Sequence, residues 1–284
     1  MKKVLFAAIA IVGLASAAQA SVFSTKLGGN QSFVALQSPG SGDAIGSSSQ
    51  PFVQENGSGS GGNTITITQS GSANTFGGGG SFQSGTGNQA SINQSGTGSS
   101  VDLQQTGSFN GITAGLVTQS ADSSTIAIVQ NGSGNDFQVI QTGSANALSL
   151  VQQGSANTAT LNQAGSNQRM TLQQSGNNNE ISADQTGSGD LLLATQDGDG
   201  NLIVSAQSGT GNSLYAAQTG NSNSIYATQA GSVLYASLTQ NGNNNSIFGT
   251  QSGDQNSATV TQSSNGNTAV YKQQGSGSTL TIRQ

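Results

Sequence analysis

The chain has 284 residues, of which only 6% are charged, and its formal net charge is −5. It contains 42 glycines but no cysteine, histidine or tryptophan. Without cysteine and histidine there is no thiolate nucleophile, no imidazole base and no ordinary zinc or copper site. Basic residues are too few and too scattered for a nucleic-acid-binding surface. From the composition we therefore expect a protein that is not an enzyme and that binds no cofactor.

The first twenty residues have the pattern of an export signal. Lys2 and Lys3 precede the apolar run VLFAAIAIVGLASAA, and the small-x-small sequence Ala18-Gln19-Ala20 precedes Ser21. This order is typical of a secretory signal peptide with its cleavage site. A membrane anchor is the alternative, but the apolar run is short for a bilayer span. We predict a signal peptide at 1–20 and a secreted, extracellular mature chain.

Residues 21–62 are rich in glycine and serine and carry both prolines, Pro39 and Pro51. They lack the eleven-residue register that follows them. Such a segment buries too little apolar surface to offset the entropy of ordering it. We predict a disordered leader, which is either a secretion address or a plain linker.

From Asn63 onward, glutamine recurs at a fixed spacing. The first four glutamines stand at 69, 83, 94 and 105, and two intervals, 69–83 and 105–119, are fourteen residues long. After them the spacing is a strict eleven, through Gln119, Gln130, Gln141, Gln152, Gln163, Gln174, Gln185, Gln196, Gln207, Gln218, Gln229, Gln240, Gln251, Gln262, Gln273 and Gln284. Most are followed two residues later by glycine and preceded six residues earlier by asparagine or serine. An internal repeat of this kind fixes the architecture.

Apolar and polar residues alternate within each unit, as in the segment NTITITQ at 63–69. A period of two indicates a β-strand, whereas a helix needs a period of 3.6. Abundant glycine, asparagine and β-branched residues also oppose a helix. The pattern predicts strands of about five to seven residues, separated by Q-x-G-x-x-N turns.

Twenty short strands are compatible with a meander, a barrel or a solenoid. Identical residues at one spacing favour the solenoid, because stacking places glutamine over glutamine and asparagine over asparagine. Two units then form one 22-residue coil. The predicted fold of residues 63–284 is all-β, a two-sheet parallel β-solenoid of about ten 22-residue coils. The inward glutamines form a structural ladder there, since each internal amide has a neighbour above and below.

One outward column of the predicted solenoid is apolar. Val204, Tyr226, Phe248 and Val270 stand 22 residues apart, so the fold stacks them as an exposed stripe. One interpretation is lateral fibre bundling or surface adhesion through this stripe. The other is simple cross-strand packing that stabilises the sheet.

The units NTATLNQAGSNQ (157–168) and NQASINQSGTGS (88–99) resemble the curlin repeat of bacterial curli subunits. The resemblance covers residues 63–284. It implies secretion as an unfolded chain and templated assembly into extracellular, cell-surface amyloid fibres of the biofilm matrix. The implied partners are further copies of the chain, a nucleator subunit and the outer-membrane curli secretion machinery. A major-type subunit is favoured, and the minor, nucleating subunit is the alternative.

In that family, glutamine and asparagine ladders lie inside the solenoid. The resemblance therefore assigns the ladder role to the glutamines given above and to Asn135, Asn146, Asn157, Asn179, Asn212, Asn223, Asn245, Asn256 and Asn267. Three positions depart from the pattern. Leu234 and Asp190 stand where asparagines belong, and Ser264 stands where a glycine belongs.

The ends of a solenoid carry strand edges with unpaired N–H and C=O groups, which proteins usually block. No capping segment is recognisable in the repeat array. We therefore expect end-to-end addition of one molecule to the next.

Other functions make different demands on the residues. A β-helical enzyme such as a polysaccharide lyase needs converging charged residues. The only acidic cluster, Asp184, Asp190, Asp197 and Asp199, falls near turns, where a calcium site is the alternative interpretation. The T-x-T-x-T segment at 64–68 suggests an ice-binding solenoid, but the pattern does not persist. A non-polymerising secreted adhesin stays open.

Overall fold

The computed structural model describes residues 62–77, 80–111 and 115–284 in full. Before them it describes only the backbone of five strands: β1 (Ile9–Gly13), β2 (Phe23–Lys26), β3 (Ser32–Gln37), β4 (Ala44–Ile45) and β5 (Phe52–Asn56). The signal peptide at 1–20 and the leader at 21–62 otherwise lie outside the described residues, and both stay predictions.

The remaining elements are also strands, and the described residues contain no helix. They are β6 (Thr64–Gln69), β7 (Thr75–Phe76), β8 (Phe82–Thr86), β9 (Gln89–Ser95), β10 (Ser100–Ser108), β11 (Leu116–Asp122), β12 (Thr125–Ser133), β13 (Asp136–Ser144), β14 (Ala147–Ser155), β15 (Thr158–Ser166), β16 (Arg169–Asn177), β17 (Glu180–Ser188), β18 (Leu191–Asp197), β19 (Leu202–Thr210), β20 (Ser213–Thr219), β21 (Ser224–Ser232), β22 (Tyr235–Asn241), β23 (Ser246–Asp254), β24 (Ser257–Gln262), β25 (Thr268–Ser276) and β26 (Thr279–Arg283).

The chain divides into two units, Met1–Val139 and Ile140–Gln284, with the boundary inside β13. In the first unit, β6, β9 and β11 pair in parallel in one sheet, and β8, β10 and β12 pair in parallel in the other. β7 and β8 both pair with β10, so the first three-residue insertion divides one strand position into two. β3 pairs with β6 and β5 with β8, which sets Gln37 opposite Gln69 and Gln54 opposite Gln83 along the backbone.

The second unit contains the more regular array. Its first sheet has the order β15-β17-β19-β21-β23-β25, and its second sheet has the order β14-β16-β18-β20-β22-β24-β26. All neighbours are parallel and shifted by 22 residues, as when Gln163 lies opposite Gln185. The chain therefore alternates between two sheets and returns to each after one coil. The predicted all-β, two-sheet parallel β-solenoid of about ten coils is confirmed.

The strands are longer than the sequence pattern indicates. Most have seven or nine residues and run through the Q-x-G sequence, which we had assigned to a turn. The reason is that stacked glycines pair along the backbone in register, as Gly165 does with Gly187. Their positive φ angles, 134° and 125°, bend the chain without ending the parallel pairing. The true turn between strands is only a few residues long.

Inward residues form apolar columns between the two sheets. In the first sheet of the second unit, the side chains of Ala159, Ile181, Ile203, Ile225, Ile247 and Ala269 are all buried. In the second sheet, Leu148, Met170, Leu192, Leu214, Ala236 and Ala258 are buried, and Leu280 is partly exposed. Burying such side chains stabilises the fold by about 25 cal/mol for each Å² of apolar surface.

In a neighbouring inward column, the last two coils carry a glycine and a tyrosine at paired positions. Gly249 lies below Tyr271, and a Cβ on Gly249 would lie 2.3 Å from the Tyr271 ring. Glycine therefore leaves the space that this buried ring fills. Burial also raises the pKa of the Tyr271 hydroxyl above its usual range.

No helix among the described residues has the length and hydropathy needed to cross a membrane.

Candidate functional site: the amide ladders

Two glutamine ladders run through the second unit, one in each sheet. Each glutamine Nε2 donates a hydrogen bond to the Oε1 of the glutamine 22 residues later. The first-sheet ladder passes through Gln141, Gln163, Gln185, Gln207, Gln229, Gln251 and Gln273. The second-sheet ladder passes through Gln152, Gln174, Gln196, Gln218, Gln240, Gln262 and Gln284. The N–O distances lie between 2.7 and 3.1 Å.

The first unit contains the same arrangement on a smaller scale. Gln69 donates to Gln94 and Gln94 donates to Gln119, both over 2.9 Å. In the other sheet, Gln83 donates to Gln105 over 2.6 Å and Gln105 donates to Gln130 over 2.8 Å. These ladders cross both fourteen-residue intervals, so the insertions do not displace the glutamines.

The second N–H of each amide connects the two sheets. Gln207 Nε2 donates to the Leu191 carbonyl oxygen over 3.0 Å, and Gln229 Nε2 donates to the Ser213 carbonyl oxygen over 3.1 Å. Both acceptors lie 16 residues earlier, at the start of a strand of the opposite sheet. A buried amide that satisfies both its N–H groups avoids a desolvation penalty of about 1–3 kcal/mol for each unpaired group. The ladder glutamines from Gln69 to Gln262 are almost fully buried, whereas Gln284 is exposed.

An asparagine column lies beside the first-sheet ladder. We call it the first amide column, and in the second unit it contains Asn157, Asn179, Asn201, Asn223, Asn245 and Asn267. Each backbone N–H donates to the Oδ1 of the asparagine one coil earlier, at 2.9–3.0 Å. The Nδ2 of Asn179 donates to the carbonyl oxygen of turn glycine Gly198 over 2.7 Å. This hydrogen bond connects the start of the strand to a turn 19 residues later in the chain.

The corresponding positions before the second-sheet strands form the second amide column. Its members are Asn146, Gln168, Asp190, Asn212, Leu234, Asn256 and Ser278. Asn146, Asn212 and Asn256 use their Nδ2 groups as the first column does. The column is therefore chemically mixed, and its departures have structural consequences.

Leu234 keeps only half of the asparagine pattern. Its backbone N–H donates to Asn212 Oδ1 over 3.1 Å, and its side chain is buried. The leucine side chain offers no amide, so it replaces polar contacts by apolar packing at this coil.

Ser264 explains one unpaired amide. In neighbouring coils the asparagine Nδ2 donates to a glycine carbonyl oxygen 19 residues later, as Asn223 does to Gly242. Nineteen residues after Asn245 stands Ser264, which lacks the positive φ of those glycines. Among the described residues, Asn245 Nδ2 has no hydrogen-bond partner.

The sequence analysis did not assign five buried asparagines of the amide columns, which are Asn63, Asn74, Asn88, Asn110 and Asn201. Asn201 is buried and occupies the first amide column, where it donates to the Gly220 carbonyl oxygen over 2.7 Å. Its position six residues before Gln207 was the available signal. Asn110 is also buried and contacts Asn88 and Asn135 through their amides. It lies within a fourteen-residue interval, where the spacing gives no signal.

A third ladder lies at the surface and was also missed. Asn177, Asp199, Asn221, Asn243 and Asn265 stand 22 residues apart in successive turns. From Asp199 onward, each Oδ1 accepts a hydrogen bond from the backbone N–H of the mate one coil earlier, over 2.7–2.8 Å. The residues follow the Q-x-G sequence directly, and this spacing was the signal that could have revealed them.

The predicted stripe is a continuous feature of the first sheet. Val204, Tyr226, Phe248 and Val270 lie opposite one another in successive strands. Tyr226, Phe248 and Val270 have 38, 42 and 70% of their surface exposed. The rings of Tyr226 and Phe248 stack in parallel, with centroids 5.1 Å apart. The second sheet has a smaller apolar patch, in which the Tyr215 and Tyr235 centroids are 5.7 Å apart.

The acidic cluster does not converge on one point. Asp190 is buried, whereas Asp184, Asp197 and Asp199 are exposed. In the part of the chain that the structure describes, no group of three acidic residues is placed to hold a metal ion.

Parallel coils and internal amide ladders define the class: a structural protein built as a β-solenoid. The family described as Curlin associated repeat matches residues 143–176, 234–263 and 253–284. The chain therefore carries curlin repeats in these three segments, as the resemblance indicated. The comparison with curated proteins gave no match.

Proposed function

We propose that the chain is a structural subunit of extracellular, curli-type amyloid fibres of a biofilm matrix. The observation that carries the proposal is the pair of glutamine ladders that continue through every coil of the second unit, from Gln141 to Gln273 and from Gln152 to Gln284. Such ladders between stacked, parallel, identical strands are the bonding pattern of amyloid. The three matches to the curlin repeat support the same function.

The ladders also have a direction, which fixes how a second copy would add. Every glutamine donates towards the following coil, and every first-column asparagine accepts from it. At the late end of the second unit, the Gln284 side-chain amide and Asn267 Oδ1 therefore face the position of an added coil. Continuation of both ladders requires head-to-tail stacking, which is a heterologous and open-ended contact.

The strand edges at the late end support this addition. Among the described strands, β25 and β26 pair on one side only. Leu280 and Ile282 in β26 are partly exposed, although their mates in β24 are fully buried. An added coil would bury these side chains and pair the remaining backbone groups.

The test is assembly of the purified mature chain, followed by thioflavin fluorescence and electron microscopy. We expect fibres after a lag, and we expect fragments of preformed fibres to remove the lag, because they replace the costly nucleus. Soluble, unchanged chain at all concentrations would favour the non-polymerising adhesin. Acceleration of a related subunit by a chain that forms no fibres itself would favour the nucleator.

Secretion across the outer membrane, and partnership with a nucleator subunit and with curli secretion machinery, belong to the same proposal. Their support is the family, together with the predicted signal peptide. Retention of the chain inside cells when a recombinant host supplies that machinery, under conditions that export a known curli subunit, would contradict this part.

We further propose that the stripe formed by Val204, Tyr226, Phe248 and Val270 mediates lateral bundling of fibres. Three of its four side chains are exposed, and stacked aromatic side chains offer a flat apolar surface. Replacing Tyr226 and Phe248 by threonine should abolish bundles in electron micrographs while single fibres persist. Replacing Tyr215 and Tyr235 by threonine is the matched control on the other sheet. Unchanged bundling in the first variant would eliminate this role.

A further inference from the structure

Asp190 is the one carboxyl group among the described residues that lies inside an amide column. Its side chain is 1% exposed, and it stands between Gln168 and Asn212 in the second amide column. The backbone N–H of Asn212 donates to Asp190 Oδ1 over 2.9 Å. Asp190 therefore performs the acceptor half of the asparagine pattern.

Asp190 lacks the side-chain N–H groups that form the donor half of the asparagine pattern. Asn212 uses its Nδ2 to donate to the carbonyl oxygens of Ser208, four residues earlier, and Gly231, 19 residues later, both over 3.1 Å. At Asp190 the same register positions are the carbonyl oxygens of Thr186 and Gly209. An ionised Asp190 Oδ2 would face these two acceptors without a proton to share. Within the described chain, Oδ2 has no hydrogen-bond partner.

The neighbouring coil offers a third acceptor. Gln168 directly precedes Arg169, which pairs with Leu191, so the Gln168 and Asp190 side chains are neighbours in the column. Gln168 Nε2 donates to the Ala164 carbonyl oxygen over 3.2 Å, but its Oε1 has no partner among the described residues. Two buried, unpaired oxygens thus lie in adjacent coils. One proton on Asp190 supplies the donor that this set of acceptors lacks.

No neighbouring charge compensates a carboxylate at this position. The charged residues on the strands around it are Arg169 on β16, Glu180 and Asp184 on β17, and Asp197 on β18, and all four are exposed. The other titratable group there, Tyr215 on β20, lies in the outward patch. Burial raises the pKa of Asp190, and the hydrogen bonds from Asn212 oppose this only in part.

We propose that Asp190 is a proton-binding site of the second unit: folding of its coil takes up one proton, and the folded coil holds Asp190 as a neutral carboxylic acid. The neutral O–H donates to one of the three neighbouring oxygens, as an asparagine N–H would. This inference concerns the folding of the coil and does not depend on polymerisation.

The sign of the pH dependence follows from proton uptake. Below the ordinary pKa of aspartate, both the folded and the unfolded chain carry the proton, and the stabilising contribution is fully present. As the pH rises towards the higher pKa of the folded state, the unfolded chain ionises first and stability is lost. Each pH unit in that window changes the folding equilibrium by up to tenfold. Acid therefore favours the folded coil.

The experiment compares three full-length chains: wild type, Asp190→Asn and the control Glu180→Gln. Glu180→Gln also removes one negative charge, but from an exposed position on β17. Folding is followed by circular dichroism, and the urea midpoint of the folded state is measured between pH 4 and pH 8. For the wild type and Glu180→Gln, we expect the midpoint to fall as the pH rises. Relative to the wild type, Asp190→Asn should gain the most stability at pH 8. Its urea midpoint should lack the part of the pH dependence that the Asp190 carboxyl causes.

A direct readout keeps the proposal testable if unfolding proves irreversible. Carboxyl ¹³C NMR of chains labelled at aspartate should show one signal that titrates above the others and that is absent from Asp190→Asn. The proposal is overturned if no such signal exists. It is equally overturned if Asp190→Asn retains the wild-type dependence on pH. Failure to form fibres would leave both readouts intact, so the two proposals fail separately.

Discussion

For single residues, the central problem is the burial of amides, which is costly unless each polar atom finds a partner. Gln207 illustrates the solution. Its Nε2 donates to Gln229 Oε1 over 2.8 Å and to the Leu191 carbonyl oxygen over 3.0 Å, and its Oε1 accepts from Gln185 over 2.8 Å. Each bond contributes only about 0.5–1.5 kcal/mol, so the ladder stabilises through repetition.

Replacing Gln207 by leucine should therefore cost more than the lost bonds alone. The substitution leaves Gln185 and Gln229 with unpaired buried groups, and we expect a loss of about 2–4 kcal/mol in the free energy of unfolding. Gln173→Leu is the matched control, because Gln173 is exposed on β16. Urea denaturation of both variants measures the difference. Equal midpoints for the two variants would show that the ladder contributes no stability.

For the strand and its turn, the decisive residue is the glycine two places after each glutamine. Gly187 has a φ of 125°, and a Cβ there would lie 2.0 Å from the Gly209 carbonyl oxygen. Gly211 also has a positive φ, of 66°, but nothing lies within 4 Å of its Cβ position. A comparison of the two glycines therefore distinguishes the cost of steric overlap between coils from the cost of the backbone conformation.

We expect Gly187→Ala to lose more than about 3 kcal/mol of stability, because neighbouring backbone must move to admit the methyl group. Gly211→Ala should lose about 1 kcal/mol, the usual cost of the left-handed conformation for a residue with a Cβ. Thermal unfolding followed by circular dichroism compares them. A similar, small loss in both would mean that the coils separate easily at this turn.

The period of eleven was sufficient to predict the strands, their two sheets and the stacking of like residues. The sequence could not show that strands run on through Q-x-G, because a single glycine indicates a turn, and only stacked glycines show the parallel pairing that extends it. Nor could it reveal the chemistry at Asp190, which depends on acceptors contributed by residues distant in sequence. Departures from the repeat were visible, but their consequences required the neighbouring coils.

At the scale of the whole molecule, each ladder of the second unit has a fixed direction, and these directions bear on the proposed assembly. Donors of the glutamine ladders and acceptors of the first amide column face the same following coil. The outer ladder, which includes Asp199 and Asn221, has the opposite sense, with acceptors facing the preceding coil. These fixed senses select one orientation of an added copy. Random orientation at the junction between molecules is therefore not expected.

The most direct test of this account is a helical reconstruction, by electron cryo-microscopy, of fibres grown from the purified mature chain. We predict strands perpendicular to the fibre axis, a rise of about 4.8 Å for each coil, and glutamine side-chain density that continues unbroken across the junction between head-to-tail molecules. Fibres in which the coils of successive molecules are not in register, or in which molecules meet head to head, would contradict it.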